Sequence, residues 1–154
     1  MKRDYKEVLQ KIVEKERIVA ERNKGRIPYT TVDGRFNDKL ETDVSWWTNG
    51  FWGGFMWQLY TLDKSEIFRE NAEFVEEQLD QTLMDYHALD HDNGFKWLQT
   101  SVGNYRQFKN EKSKNRAILA AGDLAGRFNT LGGFIRAWND WGDDVDRRGW
   151  AIID

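Results

Sequence analysis

At 154 residues the chain is long enough for one domain that buries roughly 70% of its unfolded surface, and a formal net charge of -3 supplies no basic field for nucleic acid or an anionic membrane. The absence of cysteine excludes structural disulfides and thiolate-bound metal. No run approaches the roughly 18 apolar residues of a membrane span, and the charged opening MKRDYKEVLQKIVEKER lacks the apolar centre of a signal peptide, so a cytoplasmic protein is expected.

Tyr5, Val8, Leu9, Ile12 and Val13 recur at helical spacing, continue through Ile18, Val19 and Ala20, and run towards a stop at Gly25. GRIPYTTVDGRFNDKLETDVS then reads as a loop of about 20 residues broken by Pro28 and Gly34, and unstructured loops of that length are usually functional or disordered. A second helix is expected over Asn49–Leu62, rich in Phe51, Trp52, Phe55, Trp57 and Tyr60. Asp63 to Glu66 (DKSE) resembles a capping box that opens a third helix with the face Phe68, Ala72, Val75, Leu79, Leu83. After HALDHDNG a fourth helix carries Phe95, Leu98, Val102, Tyr105 and Phe108. Ser113 is the expected cap of a fifth, with Leu119, Ala121, Leu124, Ala125 and Phe128 on its inner side. Its small residues Ala120, Ala121, Gly122, Ala125 and Gly126 would admit a close neighbour. The only extended pieces expected lie around Phe134–Trp138 and Ala151–Ile153.

Helices joined by alternating short and long connections imply stacked helical hairpins. Five is an odd number, so a sixth helix is expected after the closing GWAIID, with Asp154 as its cap or as a site residue. The eight Trp, nine Phe and five Tyr are expected chiefly in the core, although flat rings also stack on the apolar faces of sugars. Four clusters stand out. WWTNGFWGGFMW surrounds Asn49 at a helix start, and HDNGF puts His91 and Asp92 just ahead of a helix. IRAW offers Arg136 and Trp138, and NDWGDDVD gathers Asp140, Asp143, Asp144 and Asp146 without calcium-loop spacing. Taken singly, each has an ordinary structural reading: core plus a cap, a capping Asp, a surface Arg, a solvated acidic turn.

In this order, WTNGFWGGFMWQLY, HDNGF, AAGDLAGRFN, IRAW and WAIID resemble the N-terminal part of the unsaturated glucuronyl hydrolases, glycoside hydrolase family 88. The resemblance spans Trp47 to Asp154. It implies an all-α chain, a partial (α/α)6 toroid with roughly five of its twelve helices, so that residues 1–154 form the N-terminal portion of a single catalytic domain. It also implies a substrate, an unsaturated uronyl disaccharide or oligosaccharide left by polysaccharide lyases, and a reaction needing no metal or cofactor. The C4=C5 bond is an enol ether. A proton added at C4 leaves positive charge at C5 beside the ring oxygen, water adds at C5, and the resulting hemiketal opens with loss of the glycosidic bond.

By the same resemblance, Asp154 is the catalytic acid and water-activating base, and Asp92 is its catalytic partner, hydrogen-bonding the sugar hydroxyls. Neighbouring carboxylates oppose each other's ionisation, which keeps one protonated for acid catalysis. His91, Trp47, Asn49 and Trp138 are carried over as substrate-binding residues. Asn93 departs from the aliphatic residue usual after HD, and the arginines and aromatics expected to grip the uronate carboxylate fall outside these residues. Were Asp154 the terminus, its α-carboxylate would add another negative charge, and the isolated chain is expected to be inactive. Alternatives remain: an unsaturated rhamnogalacturonyl hydrolase, a truncated fragment or half-toroid that self-associates through exposed helix flanks, and a self-sufficient bundle with an unrelated role.

Overall fold

The computed structural model describes residues 5–153, so Asp154 lies outside the described residues. Helix α1 (Tyr5–Arg22) leads into a hairpin of β1 (Pro28–Val32) and β2 (Arg35–Asp38), which replaces most of the long loop expected there. Asp33 and Gly34 both adopt positive φ, 51° and 74°, the turn that matches the right-handed twist of paired strands. The strands are largely exposed and therefore lack the apolar alternation that marks a half-buried strand.

Helix α2 (Asn49–Asp63) pairs with α3 (Glu66–Gln78), and α6 (Ser101–Phe108) pairs with α7 (Glu111–Gly126). Each hairpin turns through a lysine in left-handed conformation, Lys64 (φ 56°) and Lys109 (φ 55°), whose N–H donates to the carbonyl four residues back. The following residue, Ser65 or Asn110, is the N-cap of the returning helix, so the expected starts move. Asp63 ends α2 instead of capping α3. Asn110 replaces Ser113 as the cap of α7, its Oδ1 accepting from the N–H groups of Lys112 and Ser113. The short helix α4 (Asp80–Leu83) continues α3 after a break, and a 3-10 turn (Tyr86–Ala88) follows. The expected fourth helix is likewise divided into α5 (Asn93–Trp97) and α6. Short strands β3 (Phe128–Asn129) and β4 (Phe134–Ile135) close the described elements.

The core has two adjoining parts. Ala20, Met56, Trp57, Leu59, Tyr60, Ile67, Phe68 and Ala72 form one, and Ile27, Val75, Leu79, Leu89, Trp97 and Ala120 the other, with Trp52 packed against both. The expected α3 face is buried from Phe68 through Leu79. On α7 the inward stripe is different from the one expected: Ser113, Arg116 and Ala120 are buried, whereas Leu119 and Phe128 are exposed. Arg116 sets that register by pairing with the buried Glu76 of α3 at 3.1 Å and with Asp80. A buried guanidinium between carboxylates outranks the apolar count, because leaving Glu76 alone would strand a charge.

Close backbone approach occurs at the glycines of α2, whereas on α7 Ala120 is the buried small residue and Gly122 and Gly126 face open space. A Cβ on Gly50 would lie 2.2 Å from the Phe95 carbonyl oxygen and 2.6 Å from Lys96 Cα, whereas a Cβ on Gly122 meets nothing within 4 Å. Gly50→Ala should therefore destabilise the chain by about 2–3 kcal/mol, since backbone must give way. Gly122→Ala should stabilise it by about 0.5–1 kcal/mol through helix propensity. Urea unfolding of the two variants checks both signs; equal effects would show that α2 does not rest on α5.

Candidate active site

The start of α2, the start of α5 and the segment after β4 meet around a cavity of about 650 Å³. Its walls include Asp43, Trp46 and Trp47 from the first segment, Asp90, His91, Asp92 and Phe95 from the second, and Trp138 and Trp141 from the third. Four of the eight tryptophans thus face a cavity, more than core packing was expected to leave. Trp52, Trp57 and Trp97 supply the core.

His91, Asp92, Trp47 and Trp138 are brought together. The His91 and Trp138 rings meet edge to face at 4.4 Å, and His91 Nε2 lies 3.5 Å from Asp92 Oδ1. The Ala137 carbonyl receives both the His91 backbone N–H (3.2 Å) and ring Nδ1 (3.0 Å). A carbonyl only accepts, so Nδ1 carries the hydrogen and Nε2 is the nitrogen presented to Asp92. Asp92 occupies the N-cap position of α5, yet its side chain makes no capping hydrogen bond, while its backbone N–H donates to Asp90 Oδ1 at 2.9 Å. Trp47 is 39% exposed and packs against Phe51 and Phe95, which hold its ring at the cavity edge.

Asn49 stands apart from the lining. It is buried, and its Nδ2 donates to the carbonyls of Asp43 (3.0 Å) and Val44 (2.9 Å), holding the segment that presents Trp46 and Trp47. Asn93 is buried as well. It accepts the Asp90 N–H and donates to Asp123 of α7 at 2.7 Å, a polar tie where the resemblance expects an aliphatic side chain. Arg136 donates to the Tyr86 hydroxyl at 2.9 Å. Asp90, His91 and Asp92 each offer a donor atom within 4.8 Å of the others, the group of described residues that could converge on a cation.

Two framework residues, Arg127 and Asn139, carry no signal of their role in the sequence. The Arg127 guanidinium donates to the carbonyls of Leu89 (3.1 Å), Arg136 (2.9 Å) and Ala137 (2.8 Å) and to Asn139 Oδ1 (2.8 Å). Asn139 in turn donates to the carbonyls of Tyr86 (2.9 Å) and Leu89 (2.7 Å). The wall bearing His91 is thereby laced to the wall bearing Trp138. The AGRFN motif contained Arg127, but nothing in its spacing distinguishes an inward guanidinium from a surface one.

No protein-family model matches the chain. Among curated proteins it is 32% identical over 130 residues to the unsaturated glucuronyl hydrolase of Bacillus sp. (strain GL1), covering 84% of this chain and 34% of that one. It is 32% identical over 113 residues to the unsaturated chondroitin disaccharide hydrolase of Streptococcus pyogenes serotype M1, covering 73% of this chain and 28% of the relative. The crystal structure of the Bacillus sp. GL1 unsaturated glucuronyl hydrolase superposes with a TM-score of 0.73 at 27% identity, over 86% of this chain and 35% of that one. The chain belongs to the unsaturated glucuronyl hydrolase family.

A UGL variant solved with dGlcA-Glc-Rha-Glc gives the same TM-score, 0.73, at 26% identity, over 87% of this chain and 35% of that one. The stacked hairpins are accordingly part of the α/α toroid of the unsaturated glucuronyl hydrolases. The chain spans about a third of the length of the curated relatives it matches.

Arg127→Met removes four hydrogen bonds and should cost about 2–4 kcal/mol, because buried carbonyls lose charged donors. Denaturation should show the loss of stability, and a shift in tryptophan emission, absent when Trp138 is replaced by Phe, should show the displaced wall. A variant with wild-type stability and emission would remove Arg127 from the framework.

Proposed function

We propose that these residues supply one side of the active site of an enzyme that hydrolyses unsaturated uronic acid-containing oligosaccharides by hydrating the C4=C5 enol ether. The observation that carries this reading is the meeting of His91, Asp92, Trp47 and Trp138 in one cavity within a chain of this family. Aromatic rings at the cavity edge suit the C–H faces of a pyranose, and Asp92 with His91 suits its hydroxyls. In this proposal Asp154 delivers the proton to C4 and then takes one from the water that attacks C5, with Asp92 as the neighbouring carboxylate. Asn49 acts on the sugar indirectly, by holding the Trp46–Trp47 segment.

Unsaturated uronyl disaccharides and short oligosaccharides are the favoured substrate class, because one relative is named for unsaturated chondroitin disaccharide and a structural neighbour holds the tetrasaccharide dGlcA-Glc-Rha-Glc. A cytoplasmic location belongs to the same proposal. The test follows loss of double-bond absorbance in the longer enzyme that contains these residues, offered unsaturated chondroitin, hyaluronan and rhamnogalacturonan disaccharides. Turnover of a glycosaminoglycan product supports the reading, and no loss with any of the three overturns it. Asp92→Asn should lower kcat/KM by about 100-fold or more, because Asp154 loses the neighbouring charge that keeps it protonated as the proton donor.

For the 154 residues alone, self-association is the second reading. Leu98, Ile118 and Leu119 are 59%, 58% and 62% exposed on the α5–α7 side, and Tyr5 and Val8 are exposed on α1. Exposed apolar side chains favour association where they cluster into a patch. Sedimentation of the isolated chain should show concentration-dependent oligomers; a sharp monomer across the concentration range would refute it.

A further inference from the structure

We propose that Lys96 is a positioning residue of this active site, its buried ammonium pinning the segment that carries Trp46 and Trp47 to the turn that leads into His91 and Asp92. The inference rests on the active-site reading above and extends it to a residue that does not line the cavity.

Lys96 lies on α5 and is fully buried. Its Nζ donates to the Ala88 carbonyl at 2.8 Å and to the Ser45 carbonyl at 3.3 Å. These two carbonyls belong to different walls: Ser45 immediately precedes Trp46, and Ala88 stands three residues before His91. No backbone hydrogen bond among the described residues joins residues 43–48 to residues 86–92, and the ammonium supplies a hydrogen-bonded link between them. The charged groups facing it are Asp90, Asp92, Asp43 and Asp123. Burial nonetheless dominates and holds the lysine below its ordinary pKa.

That balance argues against a merely structural role. A buried ammonium costs several kcal/mol of desolvation, and a well-packed apolar side chain of similar volume is often neutral or stabilising in its place. Methionine would fill the space beside Trp97 without that cost. What methionine cannot do is donate to two carbonyls at once while placing positive charge behind the Asp90–Asp92 carboxylates. Fixed separation of the two walls matters to a site that must hold a sugar ring between Trp47 on one side and Asp92 on the other, since a misplacement near 1 Å can cost about 100-fold in rate.

Hydrogen exchange of the full chain with Lys96→Met tests this. The expected result is faster exchange in residues 44–48 and 88–92 together, with α3 unchanged. Wild-type exchange in either segment, or a uniform rise across the chain, would overturn the proposal. Because the chain has no cysteine, Lys96→Cys can be aminoethylated in denaturant and refolded, restoring an ammonium of nearly the same reach. Slow exchange should return in both segments, and its failure to return in a refolded protein counts against the proposal even if Lys96→Met does not fold. In the longer enzyme, Lys96→Met should weaken kcat/KM for an unsaturated chondroitin disaccharide by about tenfold or more. An inactive wild type would remove the active-site reading while leaving the exchange result to decide the pinning.

Discussion

The close approach of α2 to α5 is the constraint from which the cavity follows. With hydrogen in place of Cβ at Gly50, the first turn of α2 can lie on the backbone of Phe95 and Lys96. Three consequences converge there. Phe51, Trp47 and Phe95 meet as a ring cluster, Asn49 is buried beneath the segment it holds, and Lys96 comes within reach of the Ser45 carbonyl. A displacement of α2 away from α5 opens the contacts that cross between them, those of Trp47 and Phe51 with Phe95 and of Lys96 with the Ser45 carbonyl. Core packing under Trp52 and Trp57 then locks the helix where the glycine allows it to sit.

The walls themselves are organised less by side-chain pairing than by cations bound to backbone oxygen. Arg127 gathers carbonyls from Leu89, Arg136 and Ala137, and Lys96 gathers those of Ser45 and Ala88. Irregular segments leave carbonyls without ladder partners, and a buried carbonyl must find a donor. Long cationic side chains with several donors satisfy more than one of them at once, and in doing so fix segments that no helix or sheet would hold. The one imidazole nitrogen that faces Asp92 is selected by the same means, through the Ala137 carbonyl on the opposite side of the ring.

Much of this was legible in the residues. The 4-3-4 spacing of Phe68, Ala72, Val75 and Leu79 announces its buried face, and the HDNGF and IRAW clusters do meet. The hairpin at residues 28–38 carried its signal in Asp33-Gly34, but exposed strands of mixed polarity hide it behind breaker residues. The face of α7 was misread because Leu119, Leu124 and Phe128 outnumber Ser113 and Arg116 as apolar markers, whereas the buried ion pair to Glu76 decides the rotation. Lys96 and Arg127 were invisible for a related reason: a cation reads as surface until the three-dimensional arrangement shows which carbonyls surround it.

The two lysine turns give the architecture a polarity that bears on how such a chain can diversify. Lys64-Ser65 and Lys109-Asn110 close the hairpins with two residues each, at the end remote from the cavity, and leave no slack there. The long connections, residues 79–92 and 127–150, lie at the other end and build its walls. A change of length in the long connections reshapes the cavity walls, whereas one in a two-residue turn shifts the register of a helix pair. A lineage of such chains could remodel what it binds by lengthening or shortening its open end, while inheriting the closed end almost untouched.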